Sequence, residues 1–401
     1  MTVTERSMAI TPVVAPAFPG RDEPLRVDGV IPAELDGAFV RSGPHPGGDG
    51  GSALVSGVRL TGGAAQWLRA SGEGVPSRPP AAWRGADGRD GTVSAAPAVR
   101  DRITGEWHTV ATRPGHGHAG QAGQAGQAEH VVMDADGRVI ATRSFPLAGA
   151  PLMGAVALTD RYVVVFDLPV VYDHAAALVG ARSPYRARPE RPARLGLLPR
   201  TGGDARWFAI EACQVTQVVN AYDDGPRVVV DAVRHDLPVN GLDGSPTGTA
   251  VRRWTLDAVT GDVAARMLAE GLVHGVVDGR LAGRRHQMVF GVTAGGRALA
   301  GYDLAAGGAR VRELAPGWTA GHAVFAPRGA GEGNGWLIVL ATEAARGRAA
   351  LLVLDALNLG GRPQAVIHLP VAPPPADQAA WVAAPPSARG LVSRNMSTPA
   401  A

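Results

Sequence analysis

Short runs in which apolar and polar residues alternate recur along this chain, each closed by turn residues. ARWFAIEACQVTQVVNA at 205 to 221, PRVVVDAV at 226 to 233, AVRRWTLDA at 250 to 258 and RHQMVFGV at 285 to 292 are the clearest. RALAGYDL, HAVFAPR, GWLIVLAT, ALLVLDALN and AVIHLPV carry the rhythm to residue 371, with DG, GG, NG and TG dipeptides between many of the runs. No long helical stretch intervenes. The pattern predicts an all-β protein, an antiparallel sandwich, barrel or propeller. Over about 350 residues without a composition break, a propeller is the most economical single domain. The predicted organisation is an N-terminal segment at 1 to 20, one propeller domain at 21 to 387 and a frayed tail at 388 to 401.

Three segments leave the pattern. Residues 72 to 91 are turn-rich and GQAGQAGQA at 120 to 128 is low-complexity, so both read as connections. The stretch 173 to 196 joins a short apolar piece to Arg182, Arg186, Arg188, Arg191 and Arg194. It reads as a solvated basic excursion, as a peripheral membrane contact or as a cover over a pocket.

Composition narrows the classes. With 45% hydrophobic and 19% charged residues in 401, the chain can bury a large core. Its 54 glycines and 32 prolines show no collagen period and suit tight turns. The 39 basic residues are all arginine and alternate with acids, which argues against a nucleic-acid partner. Cys213 is the only cysteine, so no intrachain disulfide can form. Neither a secretory signal nor a run of about twenty apolar residues is present, which predicts a soluble, cytoplasmic protein.

Sequence motifs refine the picture. IPAELDGAFVRSGPHP at 31 to 46 and SGVRLTGGAAQWLR at 56 to 69 are followed in order by further pieces: 95 to 106, 151 to 169, 194 to 200, 211 to 223, 278 to 290, 321 to 336 and 367 to 381. Together they resemble the carotenoid cleavage oxygenase family. That resemblance implies a seven-bladed β-propeller, one blade shortened between QWLRASGEG and DGTVSAAP, with a cap of loops and short helices on the axial top face and a hydrophobic tunnel to the centre. It also implies a ferrous ion held by four axial histidines, one on each of four blades.

The motifs depart from the family at every one of those four positions. Ala96 stands in the first, in Ala95, Ala96, Pro97; Gly154 stands in the second, in Met153, Gly154, Ala155. Gln217, ahead of Asn220, Ala221 and Tyr222, stands in the third, and Gln378, three residues before Trp381, stands in the last. Alanine and glycine carry no donor atom and a glutamine carbonyl is a weak one, so four imidazoles cannot be replaced by this set. The carboxylates that orient such histidines are missing too, because Val273 and His322 stand where glutamates are implied. The sequence therefore predicts a metal-free, cofactor-free derivative of the fold.

Eleven histidines remain. His116, His118 and His130, with Glu129, could form a relocated metal site, though a glycine-rich loop more often leaves such residues exposed. His45 and His108 read as loop or strand surface, while His235, His286 and His368 read as partnered within the sheet. The alignment puts His274 and His322 near the axis, where burial or a neighbouring acid would tune an imidazole for acid–base work. His322, Gln217, Gln378, His274 and Tyr222 are the predicted catalytic residues. Ala96, Gly154, Met153, Trp381, Asp377 and Val273 are predicted to contact substrate. No phosphate loop, nucleophile elbow, CxxC pair or HExxH helix is present. Two functions from different classes fit: a metal-independent enzyme that isomerises, cyclises or rearranges a long hydrophobic polyene or polyketide, and a non-catalytic apocarotenoid or lipid binder. A dioxygenase with relocated ligands is the third.

Overall fold

The computed structural model describes residues 23–44, 53–70, 94–112, 126–147, 149–181, 183–237, 247–373 and 378–384. Residues 1 to 20, 388 to 401, the turn-rich 72 to 91, His45, His116, His118 and Asp377 lie outside them.

The described residues form six antiparallel sheets of four or five strands and one two-stranded sheet. Two of the large sheets are plain meanders: Gln214–Asp224, Arg227–His235, Ala250–Asp257 and Val263–Glu270, and Leu272–Val276, Met288–Thr293, Ala298–Asp303 and Ala309–Glu313. The chain's two ends close the ring. Gln378–Ala383 pairs with Gly37–Pro44, and Val27–Gly29 pairs with Ala365–Leu369. Inner strands of successive sheets lie against one another in sequence: Val156–Leu158 on Gln214–Asp224, then Leu272–Val276, Thr319–Pro327 and Gln378–Ala383. The blade predicted to be shortened falls on residues 71 to 93, outside the described part.

Hydrophobic patterning explains this stacking. Middle strands face a neighbouring blade on both sides, so Trp107–Thr112 is buried at all six positions and Gly335–Glu343 at all but one. Outer strands are wet: Val263–Glu270 buries one residue of eight. Its Ala-rich, exposed sequence lacked any alternation to read. The predicted run 205 to 221 is split in two, Arg206–Ile210 and Gln214–Asp224, because Glu211 to Cys213 turn the chain from one blade into the next. The end of the GQA repeat is ordered, since residues 126 to 128 open the strand Gly126–Met133.

Among the described residues the one α-helix is His174–Leu178, capped by Asp173, whose Oδ1 accepts from the Ala176 N–H at 3.0 Å. It sits inside the hairpin of Val170–Tyr172 and Tyr185–Ala187, which touches the main chain just before Gly154 through the bridge Pro151 to Val171. The excursion is thus held beside the segment that leads into Gly154. Three of its arginines are engaged locally: Arg188 with Asp173 at 2.5 Å, Arg194 with Asp167 at 2.8 Å, and Arg186 with the Ser183 carbonyl at 2.7 Å. No described helix is long and apolar enough to cross a membrane.

Candidate functional site

Three inner strands bring the site together, and each does so at an irregularity in its register. Pairing shifts between Val215 and Gln217, between Leu272 and His274, and between Ala320 and Ala323, the last spanning His322. Bulges of this kind re-aim a side chain out of the regular pleat. Here they place His274 and His322 ring to ring, with centroids 4.2 Å apart and planes tilted by 53°. Burial holds the His274 imidazole below its usual pKa, so it is a neutral donor–acceptor at neutral pH. The strand carrying it is pressed tightly onto its neighbour, because a Cβ on Gly291 would collide with the His274 carbonyl.

Gln217 anchors this arrangement. Its Nε2 donates to the Gly275 carbonyl at 3.0 Å while its Oε1 accepts from the Gly275 N–H at 3.1 Å. One amide side chain thereby satisfies both backbone groups of the residue next to His274. Gly275 has no side chain to spare here, as a Cβ would meet Val219 Cγ2 at 2.6 Å.

Three of the four positions where the resemblance implies iron ligands offer no group free to bind a metal ion. Ala96 is wholly buried among Val110, Met153, Val163 and Val165. Gly154 lies so close to Val215 that a Cβ would sit nearer than 3.0 Å to its carbonyl oxygen. Gln217 has both amide atoms bonded to Gly275. Gln378 is placed on Gln378–Ala383 opposite Ser42, and its side chain lies outside the described residues. Among the described residues no group of three or more His, Cys, Asp or Glu could hold a metal ion.

Other predicted site residues lie elsewhere. Met153 is fully buried in the cluster that holds Ala96, its N–H donating to Ser94 Oγ at 3.0 Å, so packing closes both positions predicted to touch substrate. Tyr222 belongs to a buried network instead of the axis. Its ring meets His286 edge-on at 6.1 Å and carries the Arg253 guanidinium over its face at 6.0 Å, with burial raising its phenol. Trp381 packs against the core of the first sheet with Phe39, and Val273 against Met288 and Phe290.

Two histidines read separately in the sequence, His108 as loop or strand surface and His130 as a candidate ligand beside His116 and His118, meet in the structure. His108 is buried, not on the surface, and His130 faces it: Nδ1 of His108 lies 3.0 Å from Nε2 of His130, one ring donating and the other accepting. Burial, with the neighbouring imidazole second, drives His130 down to about 3. The pairing Val110 to His130 and His108 to Val132 puts both on one face, a relation no local spacing discloses. The partners expected of the rest are present: His235 with Thr216 and Thr249, His286 with Asn220, and His368 with Asp28. Cys213 is buried, its thiol pushed up to about 12, and inert at neutral pH.

Comparison with known proteins follows the same lines. The family model described as retinal pigment epithelial membrane protein matches residues 81–383. A carotenoid cleavage oxygenase of Mycobacterium tuberculosis is 28% identical over 467 residues, covering 86% of this chain and 91% of the relative. An apocarotenoid-15,15'-oxygenase of Synechocystis is 25% identical over 249 residues, covering 57% and 51%. Among solved structures, cobalt-substituted Synechocystis ACO matches with a TM-score of 0.72 at 19% identity, over 90% of this chain and 96% of that one.

Proposed function

This chain belongs to the family of the retinal pigment epithelial membrane protein and the carotenoid cleavage oxygenases, and from that premise we propose that it is a metal-independent enzyme on their propeller. Its substrate is a long hydrophobic polyene or polyketide-like molecule, in keeping with relatives named for carotenoids and apocarotenoids. The reaction is an isomerisation, cyclisation or pericyclic rearrangement in specialised metabolism. One observation carries the reading: the positions of Ala96, Gly154 and Gln217 are filled by packing and by the Gln217 splint, so a side chain at Gly154 has nowhere to go.

Chemistry then falls to the His274 and His322 pair. A neutral imidazole can hydrogen-bond an activating carbonyl, polarise a conjugated system and pass a proton, while the apolar surroundings hold a flexible chain in one fold. Peripheral membrane contact through residues 173 to 196 is part of the proposal. Leu178 and Val179 at the helix end are 85% and 82% exposed, as suits a protein that draws its substrate from a lipid phase.

The test uses an apocarotenal with chelator-treated protein. The expected products are isomers of unchanged mass, formed without oxygen uptake and lost in His322→Ala. Stoichiometric iron, with oxygen-consuming cleavage into shorter aldehydes, overturns the proposal. Recovery of the apocarotenal unchanged after long incubation favours the binder.

A further inference from the structure

A cleft of about 360 Å³ is lined by three stretches on or beside inner strands, and Ala96, Gly154 and Gln217 are not among its lining residues. Its walls come from residues 99 to 103, 156 to 160 and 218 to 221, with the loop 282 to 284 closing one side. The deep wall is apolar, built from Val156, Leu158, Val218 and Val219, while the rim is charged.

Charge at that rim is unbalanced. Arg200 is neutralised by Asp101, its direct partner. Among the described residues Arg100 and Arg102 have only neutral main-chain acceptors, the Gly105 carbonyl at 3.3 Å and the Ala282 carbonyl at 2.5 Å, and the exposed Arg284 has no side-chain partner. Against these three cations stands the single carboxylate of Asp160. Cationic groups around a concave, low-dielectric wall concentrate the positive potential inside it.

The loop that presents Arg284 is fixed in advance. Asn220, 6% exposed, donates from Nδ2 to the carbonyls of Leu281 at 3.1 Å and Arg284 at 2.9 Å, and accepts at Oδ1 from Gly283 N–H at 2.9 Å. Behind it His286 Nδ1 lies 2.9 Å from the Asn220 amide and His286 Nε2 lies 3.0 Å from Asp231 Oδ2, so the wall rests on a buried polar network. A preformed wall lowers the ordering cost of binding.

We infer that this cleft is a binding site for an amphiphilic anion, a carboxylate with an aliphatic or polyene body, its head at Arg102 and Arg284 and its body along the valine-lined wall. Neither His274 nor His322 lines the cleft, and binding there does not depend on the reaction proposed for that pair. Calorimetric titration with decanoate, decanol and inorganic phosphate tests it. Decanoate should bind saturably, weaken with added salt, and weaken at least tenfold in Arg284→Glu, whose side chain is exposed and partnerless and therefore dispensable for folding. Arg102→Ala should act in the same direction, with an unchanged circular dichroism spectrum confirming the fold. Decanol binding as tightly as decanoate, phosphate binding as tightly as decanoate, or affinity unchanged in Arg284→Glu overturns the inference.

Discussion

Gly154→Ala is the sharpest probe of the closed axial position, because it adds one methyl where the family carries an imidazole. The new Cβ would stand closer than 3.0 Å to the Val215 carbonyl oxygen, which belongs to a strand paired through Arg234. Ordinary contact distance requires that carbonyl to retreat by about 1 Å, and overpacking of this kind costs about 1–3 kcal/mol. The opposing effect is smaller: with φ outside the left-handed region, alanine restricts the unfolded chain and returns about 0.4–1 kcal/mol. The net expectation is a loss of about 1–2 kcal/mol, read as a lowered urea midpoint at unchanged slope. Gly360→Ala is the control, since a Cβ there meets nothing within 4 Å. If Gly154→Ala is as stable as the parent, the position has room for a side chain, and the claim that packing forbids a ligand there fails.

Acid should weaken the fold through His130. Its folded pKa of about 3 lies below the unfolded value of 6.5, so the unfolded chain takes up the proton first as pH falls. Stability is complete above pH 6.5, declines by up to about 1.4 kcal/mol per unit through the window down to about 3, and stands about 2 kcal/mol lower at pH 5; urea titrations at pH 7.5 and 5 that agree would refute the assignment. Asp231→Asn strips a carboxylate that holds Arg253 bidentately at 2.7 and 2.6 Å, and should cost about 3 kcal/mol, with Arg253→Met in the same background recovering part of it. Gln217→Leu leaves the Gly275 N–H and carbonyl unpaired at a cost of about 2–3 kcal/mol, and histidine NMR signals from His274 and His322 should shift with it. Unchanged signals would mean that Gln217 does not hold the pair in place.

Most of the sheet structure was legible in the sequence because blade strands obey a two-residue period and end at glycine turns. PRVVVDAV, AVRRWTLDA and GWLIVLAT coincide with Arg227–His235, Ala250–Asp257 and Gly335–Glu343 to within a few residues. Val263–Glu270 was missed because an outer strand faces water and needs no alternation. At the axis, the family resemblance implied that Ala96, Gly154 and Gln217 stand at substituted positions. What occupies the space beside Gly154 was invisible, because the Val215 carbonyl there is set by a register shift sixty residues downstream in the chain. His108 and His130 were hidden for a similar reason: they become neighbours only through cross-strand pairing 22 residues apart.

The metal-free centre proposed above needs another tie between its inner strands than a shared ion, since the N–H and carbonyl groups near a bulge have lost their ladder partners. In this chain the tie is an amide. Gln217 spans from one inner strand to Gly275 on the next with two neutral hydrogen bonds, and it does so at the bulge that would otherwise leave those groups unpaired. Returning a histidine to position 217 alone would therefore remove a strut before it added a ligand. It should lower stability by about 1–3 kcal/mol without conferring iron binding, because Ala96 and Gly154 remain closed. Measured iron uptake by Gln217→His at a stability equal to the parent would show that the centre is still open, and that the amide is a passive occupant of a living metal site.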